Sequence, residues 1–133
     1  MKKILLFILL AVFVSFCMAQ TQSELNDNAK NKYEFADNEL KKVYVDILKE
    51  YKADAAFIKN LKKSQTLWAQ FRNAEMKLKY PEHTPGYYGS VQPMCWWVYK
   101  EELTRQRIKV LKIWLDGVEE GDVCHGSVKI KAE

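Results

Sequence analysis

From Leu25 onward, apolar side chains recur at Leu25, Ala29, Tyr33, Ala36, Leu40, Val43, Tyr44, Ile47, Leu48 and Tyr51. Steps of three and four put them on one face of a helix. Lys30, Lys32, Asp37, Glu39, Lys41, Lys42, Asp46 and Lys49 fall off that stripe. The pattern predicts an amphipathic helix of about seven turns, with Ser23 as its N-cap. A second helix is predicted from near Ala53, with Ile58, Leu61, Gln65, Trp68, Phe71, Arg72, Glu75 and Leu78 on its stripe. Pro81 should stop it by Lys79 or Tyr80. Residues 81–93 then read as a loop punctuated by Pro81, Pro85, Gly86, Gly89 and Pro93. A third helix is predicted over about Met94 to Leu115, where Trp97, Thr104, Ile108, Leu111 and Leu115 share a stripe, with Gly117 as its stop. The tail from Glu119 to Glu133 reads as extended or loose. The expected fold is all-α: a three-helix antiparallel bundle with a Pro/Gly/Tyr loop between helices 2 and 3.

The first residues change that picture by setting a compartment. Lys2 and Lys3 precede an apolar run from Ile4 to Phe16, the form of a secretory signal. The run is shorter than the roughly 20 apolar residues a membrane-spanning helix needs. Cys17-Met18-Ala19 supplies small residues for cleavage after Ala19, giving a signal peptide over 1–19 and a mature domain over 20–133. A lipid anchor on Cys17 is disfavoured, because bulky Phe16 stands where a small residue is needed. The expected location is secreted or periplasmic. Cleavage lowers the formal charge from +4 to +2, too near neutral to argue for nucleic acid. It also leaves only Cys95 and Cys124. In an oxidising compartment these most simply form one disulfide, tethering the tail to the third helix. Closing a loop of about 30 residues would contribute about 3–4 kcal/mol. A metal site built from Cys124, His125 and His83 is the weaker alternative, since the spacing is not clustered.

Four segments carry a family resemblance. Ala36-Asp37-Asn38-Glu39-Leu40 with Val43-Tyr44 resembles the first helix motif of the LprI-like lysozyme-inhibitor family. Gln65, Trp68, Phe71, Arg72, Ala74 and Glu75 resemble its second motif. Gly89-Ser90 with Pro93-Met94 resembles its loop motif, and Leu103-Thr104, Arg107 and Leu111 its closing motif. The chain departs from the family at Met76 and Tyr99, where members often carry a pair of cysteines, and at Tyr88, where the loop often has a second glycine. The resemblance implies an exported helical domain, and for some members inhibition of lysozyme.

Asp37, Trp68, Arg72, Glu75 and Arg107 could form a recognition patch. Their stripe spacing favours a buried network in which the two arginines pair with the two carboxylates. Asp37, Leu40, Tyr44, Gln65, Trp68, Arg72, Glu75 and Arg107 are therefore read as structural. The loop is the stronger binding candidate, because tyrosine, tryptophan and glycine in an exposed connection suit a contact surface. Tyr87, Tyr88, Gly89, Ser90 and Trp96 are the candidate partner-binding residues. If the partner is a lysozyme, the tip could enter the substrate cleft and hydrogen-bond its two carboxylates. The competing reading is a satellite core in which Tyr87, Trp96 and Trp97 cover the helix ends. Ser90 with His83 is the only conceivable nucleophilic pair, and it lacks an elbow motif, so no enzyme is expected. No cofactor is called for. Two functions stand: a protein-binding inhibitor of lysozyme or a related wall hydrolase, and an envelope structural or interaction module.

Overall fold

The computed structural model describes residues 21–131. The expected signal peptide and Cys17 lie outside the described residues. Three helices follow in order: α1 (Gln22–Glu50), α2 (Ala55–Lys79) and α3 (Gln92–Asp116).

The start of α1 is fixed by a reciprocal capping box. The Glu24 amide donates to Thr21 Oγ1 at 3.3 Å, and the Thr21 amide donates to Glu24 Oε2 at 2.9 Å. Thr21, not Ser23, is the cap. The residue three beyond Ser23 is Asn26, which instead accepts a bond from Gln22 Nε2. Asp54 caps α2 by accepting from the Phe57 amide at 2.8 Å. α3 begins earlier than the sequence suggests, because Pro93 is accommodated in the first turn, where its missing N–H costs nothing.

Consecutive helices run antiparallel, so α1 and α3 run parallel: Tyr33 near the start of α1 stacks on Trp97 near the start of α3. At the other end, Tyr51 Oη donates to the Trp114 carbonyl at 3.0 Å. α1 and α3 form the close pair, while α2 lies farther off. Small side chains explain the approach. Ala36 of α1 is buried in a cluster with Leu40, Val43, Ile47, Ile108 and Leu111, and Ala29 of α1 and Thr104 of α3 are buried as well. α2 fully buries only Leu61 and Met76, and reaches the pair largely through larger side chains such as Phe57 and Trp68.

Gly117 ends α3 at φ +74°, and a Cβ there would stand 2.9 Å from the Lys129 carbonyl oxygen. The tail then folds back on itself. The Val118 amide donates to the Lys129 carbonyl and the Lys131 amide to the Val118 carbonyl, each at 2.9 Å. Tyr51 Oη also accepts from the Lys129 amide at 3.1 Å, and Trp114 Nε1 donates to Ser127 Oγ at 3.1 Å. Lys129 Nζ reaches Glu50 at 2.9 Å.

This latch corrects the expected disulfide. Cys95 and Cys124 are both free thiols. Cys95 stands in the first turn of α3, whereas Cys124 sits in the tail loop closed beyond Gly117. At 1.5 Å per residue, Cys95 lies about 33 Å along the axis from Gly117. A disulfide requires Cα atoms within about 7 Å. The tail is tethered by hydrogen bonds and ion pairs, not by sulfur. The same separation pulls His83, in the loop at the opposite end, away from Cys124 and His125.

Candidate functional site

The loop after α2 is shaped by three successive turns. The Tyr87 amide donates to the Thr84 carbonyl at 3.1 Å, Gly89 to Gly86 at 3.0 Å, and Gln92 to Gly89 at 3.3 Å. Gly86 and Gly89 take φ of +84° and +73°, conformations that a side chain would strain. Gly89 thus shapes the loop through its backbone conformation.

The two readings of the loop divide along its residues. Tyr88 and Trp96 are half-buried and meet at Tyr80, the C-cap of α2. The Tyr80 ring lies 5.7 Å from Tyr88, edge-on, and 5.6 Å from Trp96. Tyr88 Oη donates to the Pro81 carbonyl at 2.9 Å, which spends that hydroxyl on the loop itself. Burial pushes the Tyr80 and Tyr88 phenols upward from their usual range. These three residues form a satellite core. Tyr87 does not belong to it: it is 64% exposed and stacks flat on His83, centroids 4.0 Å apart. Tyr88 supports it from the side, edge-on at 4.9 Å. Ser90 is exposed beside the tip. In the sequence His83 stood out only as a candidate metal ligand and as a partner for Ser90; its stacking beneath Tyr87 was not legible there. Trp97 leaves the loop altogether and packs on Tyr33.

The polar set forms a network, with different partners than expected. Arg72 Nη1 donates to Asp37 Oδ1 at 3.2 Å and to Thr104 Oγ1 at 2.9 Å. Thr104 is fully buried and passes its own proton to the Lys100 carbonyl at 2.7 Å. The guanidinium lies over the Trp68 ring at 4.7 Å. Arg72 Nε is buried with no acceptor. Burial alone would raise the Asp37 carboxyl, but hydrogen bonds from Lys41 and Arg72 outweigh it and hold the group below its usual range. Tyr33 Oη also donates to Asp37, at 3.2 Å. Leu40 is core, and Tyr44 packs half-buried beside it.

The second expected arginine–carboxylate pair is not formed. Glu75 accepts from Tyr99 Oη at 3.2 Å. Arg107 instead donates from Nε to Gln65 Oε1 at 3.0 Å and from Nη2 to Ser64 Oγ at 2.9 Å. Glu75 lies level with Tyr99, about two turns of α3 from Arg107, so the spacing of three from Arg72 did not decide its partner. Among the described residues, no group of three or more His, Cys, Asp or Glu side chains could hold a metal. No helix among them is long and apolar enough to cross a membrane.

A family model described as "Lysozyme inhibitor LprI" matches residues 17–111, covering the polar network and the whole aromatic loop but not the tail latch. No curated protein and no solved structure matches the chain.

Proposed function

The chain belongs to the LprI lysozyme-inhibitor family, and from that membership we propose that it is an exported protein inhibitor of a lysozyme or a related wall hydrolase, acting through the loop tip. The leader over 1–19 delivers the domain over 20–133 to the compartment where such hydrolases work. The observation that carries this reading is Tyr87, an exposed ring braced by His83 and Tyr88 on a loop built from consecutive turns. A rigid aromatic held out from a fixed base binds with little loss of side-chain freedom. The Tyr87 and Ser90 hydroxyls supply the donors that would meet the paired carboxylates of a glycosidase cleft. Tyr88, Gly89 and Trp96 hold the tip in shape.

The test is a wall-lysis assay with the purified mature chain against lysozymes of several classes. Inhibition at micromolar protein is expected, and Tyr87→Ala should weaken it at least about tenfold while leaving the thermal midpoint unchanged. Full inhibition by Tyr87→Ala would move the site off the loop, and no inhibition by the parent chain would sink the reading. A second reading has its own support: Leu67, Phe71, Ala74 and Leu78 form an exposed apolar stripe at heptad spacing on α2. Such a face suits an envelope interaction module that inhibits nothing.

A further inference from the structure

A cleft of about 340 Å³ opens between the first half of α2 and the last half of α3, at the end of the bundle away from the loop. Phe57 and Leu61 wall it from α2, and Leu111 and Trp114 from α3, with far more apolar than polar lining. Ser64 and Arg107 stand at one end, and the tail latch closes the other through Ser127. The volume falls at the lower end of the range of about 300–1,000 Å³ typical of small-molecule sites.

Arg107 gives this cleft its chemistry. The side chain is half-buried, and burial draws its pKa down; its guanidinium lies 5.9 Å from the Trp68 ring, and it joins no ion pair among the described residues. Its two bonds go to the neutral Gln65 and Ser64, leaving Nη1 without a partner among the described residues. A guanidinium keeps its charge under these conditions, and a partly desolvated cation without a counter-ion favours an anion at its open donors. The one carboxylate in the lining, Asp54, is spent on capping Phe57 and lies ten residues earlier on α2, about 15 Å from Ser64 along the axis. The cleft is therefore polarised: a cationic donor end, then an aromatic and aliphatic trough.

We infer that this cleft binds a small amphipathic carboxylate, with the carboxylate on Arg107 and Ser64 and the apolar body lying along Leu61, Leu111, Phe57 and Trp114. This site is separate from the loop and does not depend on what the loop binds. Two parallel N–H donors from Nη1 and Nη2 suit a carboxylate's two oxygens, and the trough suits an acyl or aryl body rather than a second charge.

Octanoate is the probe, with octan-1-ol and octylammonium as controls, each titrated below its aggregation threshold into the full mature chain. The readout is the Trp114 indole N–H resonance, assigned by Trp114→Phe. Octanoate should shift it saturably, with octan-1-ol and octylammonium each at least about tenfold weaker. Arg107→Met, which keeps the apolar stem, should bind octanoate no better than octan-1-ol. An unmoved Trp114 resonance, or control ligands as tight as octanoate, would overturn the inference. The parent-chain selectivity decides the matter even if Arg107→Met fails to fold.

Discussion

Replacing Arg72 with methionine tests how α2 is held to the close pair. The substitution keeps an apolar stem over Trp68 and removes the guanidinium that bonds Asp37 at 3.2 Å and Thr104 at 2.9 Å. Breaking a buried ion pair from one side costs about 3–5 kcal/mol when the remaining charge is stranded. Here it is not wholly stranded. Asp37 keeps Lys41 at 2.8 Å and Tyr33 at 3.2 Å, and Thr104 keeps the Lys100 carbonyl at 2.7 Å. Methionine also removes the buried, acceptorless Arg72 Nε. The loss should therefore fall lower, at about 2–3 kcal/mol. Asp37→Asn should cost a similar amount, about 2–3 kcal/mol, by leaving Arg72 without its counter-charge. The double variant should cost less than the sum by about 1–2 kcal/mol. Urea unfolding followed by far-UV circular dichroism measures all three at pH 7. Acid supplies a second signature. The folded Asp37 carboxyl is held below its unfolded value, so its contribution is complete above about pH 4 and fades as pH falls through the lower folded value. The gap between the parent and Asp37→Asn should close in that window. An Arg72→Met loss below about 0.5 kcal/mol, or additive single costs, would refute this account of the network.

Two further outcomes test the placement of the tail. Without reductant, Cys95 and Cys124 should both be alkylated by iodoacetamide, the exposed Cys124 faster than the half-buried Cys95; a digest peptide joining the two would contradict the placement of the tail. Gly117→Ala should destabilise the domain by about 1–3 kcal/mol, since its φ of +74° and the 2.9 Å approach of the Lys129 carbonyl both exclude a Cβ; an unchanged urea midpoint would mean that the latch contributes nothing.

The helices were legible because their apolar stripes are long and regular. Ala36, Leu40, Val43 and Ile47 are buried as the spacing of three and four requires. The boundaries shifted where local chemistry outweighed periodicity, at the Thr21–Glu24 box and at Pro93. The disulfide was misread because compartment and count say nothing of distance: Cys95 and Cys124 are assigned by composition to each other and by the helix length to opposite ends. Within the polar set, a network joining arginines to carboxylates was legible, but which partner each takes was not: Arg72 meets Asp37 and Glu75 meets Tyr99, because a residue's partner across helices depends on axial level, which the stripes do not encode. In the loop, composition identified the aromatic cluster but could not tell Tyr87 from Tyr88. That distinction arises from a single hydroxyl bond to Pro81 and from two glycine turns.

The unequal spacing of the helices has a consequence for the tip. The loop is strung between the outlying helix and one member of the close pair, and its base straddles that seam: Tyr80 comes from α2 and Trp96 from α3. The cluster therefore acts as a calliper, its jaws set by how far α2 stands from α3. Trp68 packs on the core and Arg72 bonds Thr104 of α3 across that gap, and neither reaches the tip. A substitution at those positions can leave the domain folded and still change the angle at which Tyr87 is presented, so that the proposed contact surface is tuned from inside the bundle.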